Sequence, residues 1–115
     1  MKTLLESKIL SEKEKALLGR CKKAVKSIDD SAEIILYGSR ARGDAKTDSD
    51  YDLLILVEGD VSLEKEDIIC HELYPIEMET MQTLSAFVFS RREWNTPLYH
   101  SIPLYKNVER EGIIL

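Results

Sequence analysis

The sequence predicts a small α/β (α+β) domain, a mixed β-sheet with its helices packed mainly on one face. Three observations carry this expectation. A segment beginning at Ser11 places its apolar residues at helical spacing. Three short runs, Ala32 to Tyr37, Asp50 to Val57 and Leu84 to Phe89, are rich in β-branched, aromatic and leucine side chains. Helix-forming segments lie between and after those runs, an alternation that builds a sheet covered by helices. A chain of 115 residues encloses one core and is too short for two, and no repeat or long linker divides it, so residues 1–115 read as a single domain.

The elements follow in order. Ser11 stands where a helix cap belongs, and Glu14, three positions on, closes a capping box. Leu17, Cys21, Ala24, Val25 and Ile28 then line one face, most of the lysines fall elsewhere, and Asp29-Asp30-Ser31 ends the helix. The first strand stops at Gly38; the second carries charges only at its start and ends at Glu58-Gly59-Asp60. Leu63 to Thr80 has Ile69, Leu73 and Ile76 at helical spacing, with Pro75 expected to kink or shorten it. After the third strand, Ser90-Arg91-Arg92-Glu93 has the form of a capped short helix, and Pro97 to Glu111 supplies a last helix ended by Gly112. The expected order is α-β-β-α-β-α.

Composition narrows the function. Hydrophobic residues make up 43% and charged residues 32%, and no apolar run approaches the ~20 residues of a membrane-spanning helix. With no secretory signal visible either, a cytoplasmic protein is expected. A formal net charge of −5 argues against stable binding to nucleic acid, which depends on lysines and arginines neutralising many phosphates. Cys21 and Cys70 lack the close pairing of a metal site and read as buried, reduced thiols. His71 and His100 have no ligand partner at zinc spacing.

The chemistry concentrates between Gly38 and Asp52. Gly38 directly follows a strand, where the absence of a side chain permits a tight turn and close approach to a ligand, and Ser39 presents a hydroxyl at the opening of a short helical turn. Unpaired backbone N–H groups there form a seat for phosphate. Asp50 and Asp52 stand two apart on a strand, so both carboxylates project from one face with roughly 7 Å between Cα atoms. Mg²⁺ takes oxygen ligands, typically one or two carboxylates completed by water and substrate phosphates, so phosphate seat and paired aspartates together describe a triphosphate site. Arg40, Arg42 or Lys46 would add positive charge. Asp44 and Asp48 read as turn formers.

Gly38-Ser39, ten residues and then Asp50-Tyr51-Asp52 resemble the GS-x10-D-x-D signature of the minimal nucleotidyltransferases of the DNA polymerase β-like superfamily. The tail Tyr105-Lys106-Asn107-Val108-Glu109-Arg110-Glu111-Gly112 is similar to that family's ending, and the resemblance spans about residues 15 to 115. It implies a polymerase β-like fold, ATP or another nucleoside triphosphate as donor, and Mg²⁺ at Asp50 and Asp52, with room for a second ion. Gly38, Ser39, Arg40 and Arg42 would hold the nucleotide. The implied activity is transfer of a nucleoside monophosphate, AMP above all, to a hydroxyl of a protein or other acceptor. Many such domains pair with an all-helical HEPN protein as antitoxin to its toxin, so the implied partner is a HEPN-type protein; the small size of the chain separately suggests that a partner or a second copy completes the cleft.

One departure stands out. The family places a third carboxylate on the next strand, where Ser85 stands here. Either two aspartates suffice, or Glu77 or Glu79 is recruited, or the chain binds nucleotide as a catalytically weakened partner-binding module. Glu77 and Glu79 read as a solvated helix surface; Trp94, Tyr99 and Tyr105 offer either a partner-binding or adenine-stacking patch or the completion of the core, and Trp94 reads as core.

Overall fold

The computed structural model describes residues 1–115. A two-residue strand, β1 (Lys2–Thr3), precedes α1 (Glu12–Ile28). Both halves of the expected capping box form: Ser11 Oγ accepts from the Glu14 N–H at 3.1 Å, and the Glu14 carboxylate accepts from the Ser11 N–H at 3.0 Å. The three apolar runs become β2 (Glu33–Tyr37), β3 (Tyr51–Val57) and β4 (Leu84–Ser90). Between them lie a single helical turn, α2 (Ser39–Arg42), and the long α3 (Leu63–Thr80). The chain closes with α4 (Arg91–Trp94), α5 (Pro97–His100), α6 (Pro103–Glu111) and β5 (Ile113–Ile114).

The sheet is mixed, with strand order β1-β5-β2-β3-β4. β2 lies antiparallel to both β3 and β5, whereas β3 runs parallel to β4 and β1 parallel to β5. The two long helices share one face. There Leu17, Leu18, Cys21 and Val25 of α1 and Ile69, Leu73 and Ile76 of α3 pack on Ile34, Leu36, Leu53, Ile55 and Val57. The other face carries a smaller core in which Trp94 and Val108 cover Ile35, Leu54 and Leu56. Trp94 is 4% exposed, with ring centroids 5.7 Å from Phe89 and 5.1 Å from Tyr105, so it fills the core as expected.

Four details depart from the sequence reading. Pro75 does not end α3, which runs on to Thr80. Leu73 and Ile76 anchor the helix on either side of the proline, and Pro75 itself faces solvent, where the carbonyl its missing N–H leaves free is not buried. Cys70 is exposed, because it stands one position beyond the buried Ile69 and turns away from the core. Cys21 is fully buried, and burial pushes its thiol up to about 12. The segment from Pro97 to Glu111 breaks into α5 and α6, because Ile102 before Pro103 is held in an extended conformation. Finally, Gly112 ends α6 as expected, but the chain beyond it forms β5, a strand too short to carry a period of its own.

Candidate functional site

β2 delivers Gly38 to the end of the sheet opposite β3. Tyr37 pairs with Asp52 in the ladder, so the first residue past β2 sits against the Asp52 side chain. Gly38 has a positive φ, at φ +80° and ψ −162°, a conformation essentially restricted to glycine. A Cβ there would also collide with an Asp52 carboxylate oxygen. Two independent constraints thus require glycine at this turn.

The chain then closes one helical turn. The N–H groups of Ala41 and Arg42 donate to the Gly38 carbonyl at 3.0 Å each, and that of Gly43 donates to the Ser39 carbonyl at 3.0 Å. Gly43 ends α2 in the left-handed conformation at φ +90°. The amides of Ser39 and Arg40, first in α2, have no acceptor inside the helix. They are the donors a phosphate would meet, with the Ser39 hydroxyl beside them.

Asp50 lies one residue before β3 and is exposed; Asp52 lies within it and is half-buried. The two-residue spacing keeps both on the sheet face that carries the Trp94 core, away from α1 and α3. Burial first, and then the charge of Asp50, raise the Asp52 carboxyl above its ordinary value; Arg42 opposes the rise and Glu111 adds to it. Tyr37, on the same face, is pushed up to about 12 by burial and then by Asp52 and Glu111. Two carboxylates crowded at a half-buried position are a donor set that a divalent cation would relieve, and the oxygen chemistry suits Mg²⁺. No cluster of three or more His, Cys, Asp or Glu side chains stands ready as a complete protein cage, so water and substrate oxygens would supply the remaining ligands.

The two arginines of α2 divide. Arg40 turns under the loop ahead of β3: its guanidinium donates to the Ser49 carbonyl at 2.9 and 3.2 Å, to Thr47 O at 3.1 Å and to Gln82 Oε1 at 3.3 Å. It also pairs with Glu14 at 3.5 Å and lies over the Tyr51 ring, 4.4 Å from its centroid. Its side chain is 11% exposed. Arg40 therefore fixes the loop that presents Asp50. Arg42 is more open and pairs with Asp44 at 3.2 Å and Glu111 at 3.1 Å, contacts that raise its pKa. Lysine at position 40 cannot span these acceptors from one nitrogen, so Arg40→Lys is expected to cost about 1–2 kcal/mol in denaturant unfolding and to expose the amides of residues 47–49 to faster exchange.

Ser85 of β4 is in register with Asp52, the place where the sequence comparison expected the missing carboxylate. Neither glutamate named as a substitute reaches the aspartates from α3. Glu77 accepts from the Leu84 N–H at 2.8 Å, and Glu79 pairs with Arg20 at 2.6 Å on the α1 side. The carboxylate that does stand beside the turn is Glu111, which sequence reasoning missed. It reaches Gly38 from 73 positions away, and no local pattern marks it. Two wide clefts flank the site, one behind Arg40 and one between Arg42 and residues 7–9, and neither is lined by Asp50 or Asp52.

Residues 18–92, from within α1 to the start of α4, match the model of a family described as the nucleotidyltransferase domain. A comparison with curated proteins found no match.

Proposed function

The chain belongs to the nucleotidyltransferase domain family, and from that premise we propose that it transfers a nucleoside monophosphate, AMP from ATP, to a hydroxyl of a protein acceptor. The observation that carries this reading is the contact between the Gly38 turn and Asp52, which sets free backbone donors beside a carboxylate pair. Ser39 and the leading amides of α2 take the phosphates, and Arg42 stands close enough to the turn to share their charge. Arg40 contributes by fixing the loop of Asp50. Asp50 and Asp52 are the ligands for Mg²⁺, which when bound supplies charge neutralisation on the triphosphate.

The acceptor oxygen forms a bond to the α-phosphorus, the bond from that phosphorus to the bridging oxygen of the β-phosphate breaks, and pyrophosphate departs. The hydroxyl proton leaves to solvent, since Ser85 offers no carboxylate at the adjoining strand position.

A protein acceptor is favoured by the outer edge of β4. This seven-residue strand, Leu84–Ser90, is uncharged, borders the sheet, and leaves Phe87 48% exposed. A HEPN-type toxin, as the resemblance implies, or a second copy would close the site from that side. The second reading, a nucleotide-binding module that docks a partner without turnover, is favoured by Ser85 alone. Incubation with ATP labelled at the α-phosphate, with and without candidate acceptor, separates the two. Label on the acceptor with stoichiometric pyrophosphate supports transfer; saturable ATP binding without label on any acceptor supports the module.

A further inference from the structure

Glu111 is held by two different parts of the nucleotide site at once. One carboxylate oxygen accepts from the Gly38 N–H at 2.9 Å, and the pair accepts from Arg42 Nη1 at 3.2 and 3.1 Å. The Glu111 side chain is only 6% exposed, so its bond to the Gly38 N–H is shielded from water, while the Arg42 end of the pair stays open to solvent. Glu111 ends α6, and the next residues form β5, which pairs with β2 at Ile35 and Leu36, just before the turn. Adding a Cβ at Gly112 would meet the Ile35 side chain at 2.9 Å and the Val108 carbonyl at 2.5 Å, so the glycine after Glu111 lets α6 seat against β2. Residue 111 also lies beyond the span that matches the nucleotidyltransferase domain.

We propose that Glu111 is a positioning residue for the nucleotide site, a clamp from the C-terminal segment that fixes both the Gly38 turn and the Arg42 guanidinium. The inference rests on the functional reading above. Its logic is mechanical. The amides of Ser39 and Arg40 follow Gly38 directly, so holding the Gly38 N–H sets the direction in which they point. The same carboxylate keeps Arg42 from folding wholly onto Asp44, its other partner. Removing a supporting group of this kind typically weakens a site about 10- to 100-fold without touching the ligand.

The test compares wild type, Glu111→Ala, Glu111→Gln and Asp52→Asn at a temperature where thermal unfolding shows each to be folded. Two readouts are needed: hydrogen exchange of the Gly38, Ser39 and Arg40 amides without ligand, and titration with ATP and Mg²⁺. Glu111→Ala is expected to lose protection at Gly38 and to bind ATP about tenfold or more weakly. Glu111→Gln, which keeps an oxygen for the Gly38 N–H but not the charge on Arg42, should recover the protection and only part of the affinity. Unchanged affinity in Glu111→Ala, with protection lost, would overturn the proposal by reducing the clamp to a structural contact. Tighter binding in Glu111→Ala would also overturn it, by showing that the carboxylate competes with phosphate. Absence of binding in wild type, with exchange still altered by Glu111→Ala, would overturn the functional reading itself and Glu111's role toward a nucleotide, while leaving the clamp as a feature of the fold.

Discussion

Gly38→Ala is expected to lose roughly 3 kcal/mol of stability and all measurable triphosphate binding. The backbone at φ +80° and ψ −162° is strained for any residue with a Cβ, and the added methyl would collide with an Asp52 carboxylate oxygen. Relief requires either the turn or Asp52 to move, and both belong to the site. For a chain of this size the loss corresponds to a fall in Tm of about 10 °C or more. Gly59→Ala is the control: its position is open, with no atom within 4 Å of an added Cβ, and its substitution should stay within about 0.5 kcal/mol. Thermal unfolding of the two variants side by side checks the claim, and equal Tm values would mean that the turn is not held against Asp52.

Asp52→Asn should separate stability from activity, raising Tm while lowering nucleotidyl transfer about a thousandfold. The Asp52 carboxyl is raised above its ordinary value, first by burial and then by Asp50. A carboxyl so raised holds its proton more tightly in the native state than in the unfolded chain. Stability therefore falls as pH rises from the ordinary carboxyl range through the raised value, and the penalty stays constant above it. Asparagine removes that penalty, so the gain is full at neutral pH and disappears in acid below the ordinary range. Because the group is only partly buried, solvent screening limits the gain to about 1–3 °C. Unfolding followed from pH 3 to pH 8 with metal absent checks the sign, and a variant less stable than wild type at neutral pH would refute it.

The parts of this fold that are legible in the sequence are those whose signal is local. Ser11 and Glu14 announce α1 because both halves of a capping box lie within one turn, and the turn from Gly38 to Asp52 is a fixed spacing within a single segment. The strands were also legible, and they carried more than the expected one-sided arrangement. Ile34 and Leu36 face the long helices while Ile35 faces Trp94, so a run apolar at every position needs cover on both sides. The three short C-terminal helices provide the second cover. What the sequence could not convey was contact at long range. β1 and β5 are two residues each, too short for any period; β5 forms on the edge of β2, and β1 adds to β5. Cys70 read as buried because an unpaired thiol is most often buried, but it stands on the side of α3 that carries Glu66, Asp67 and Glu77. Arg40 and Arg42 read alike in sequence, yet only the fold turns one under the loop and leaves the other beside Glu111. Glu111 itself is one of several charged residues at the end of α6 until α6 docks on β2.

The measurement that bears most directly on the nucleotide site is calorimetric titration of ATP into the protein with and without Mg²⁺, repeated on the Asp50→Asn, Asp52→Asn double variant. Single-site binding that requires Mg²⁺ in the wild type and vanishes in a double variant whose thermal unfolding remains cooperative is the expected result. Binding that ignores the metal and survives both substitutions would contradict the assignment of Asp50 and Asp52, and a folded wild type with no affinity for any nucleoside triphosphate would contradict the function proposed for the chain.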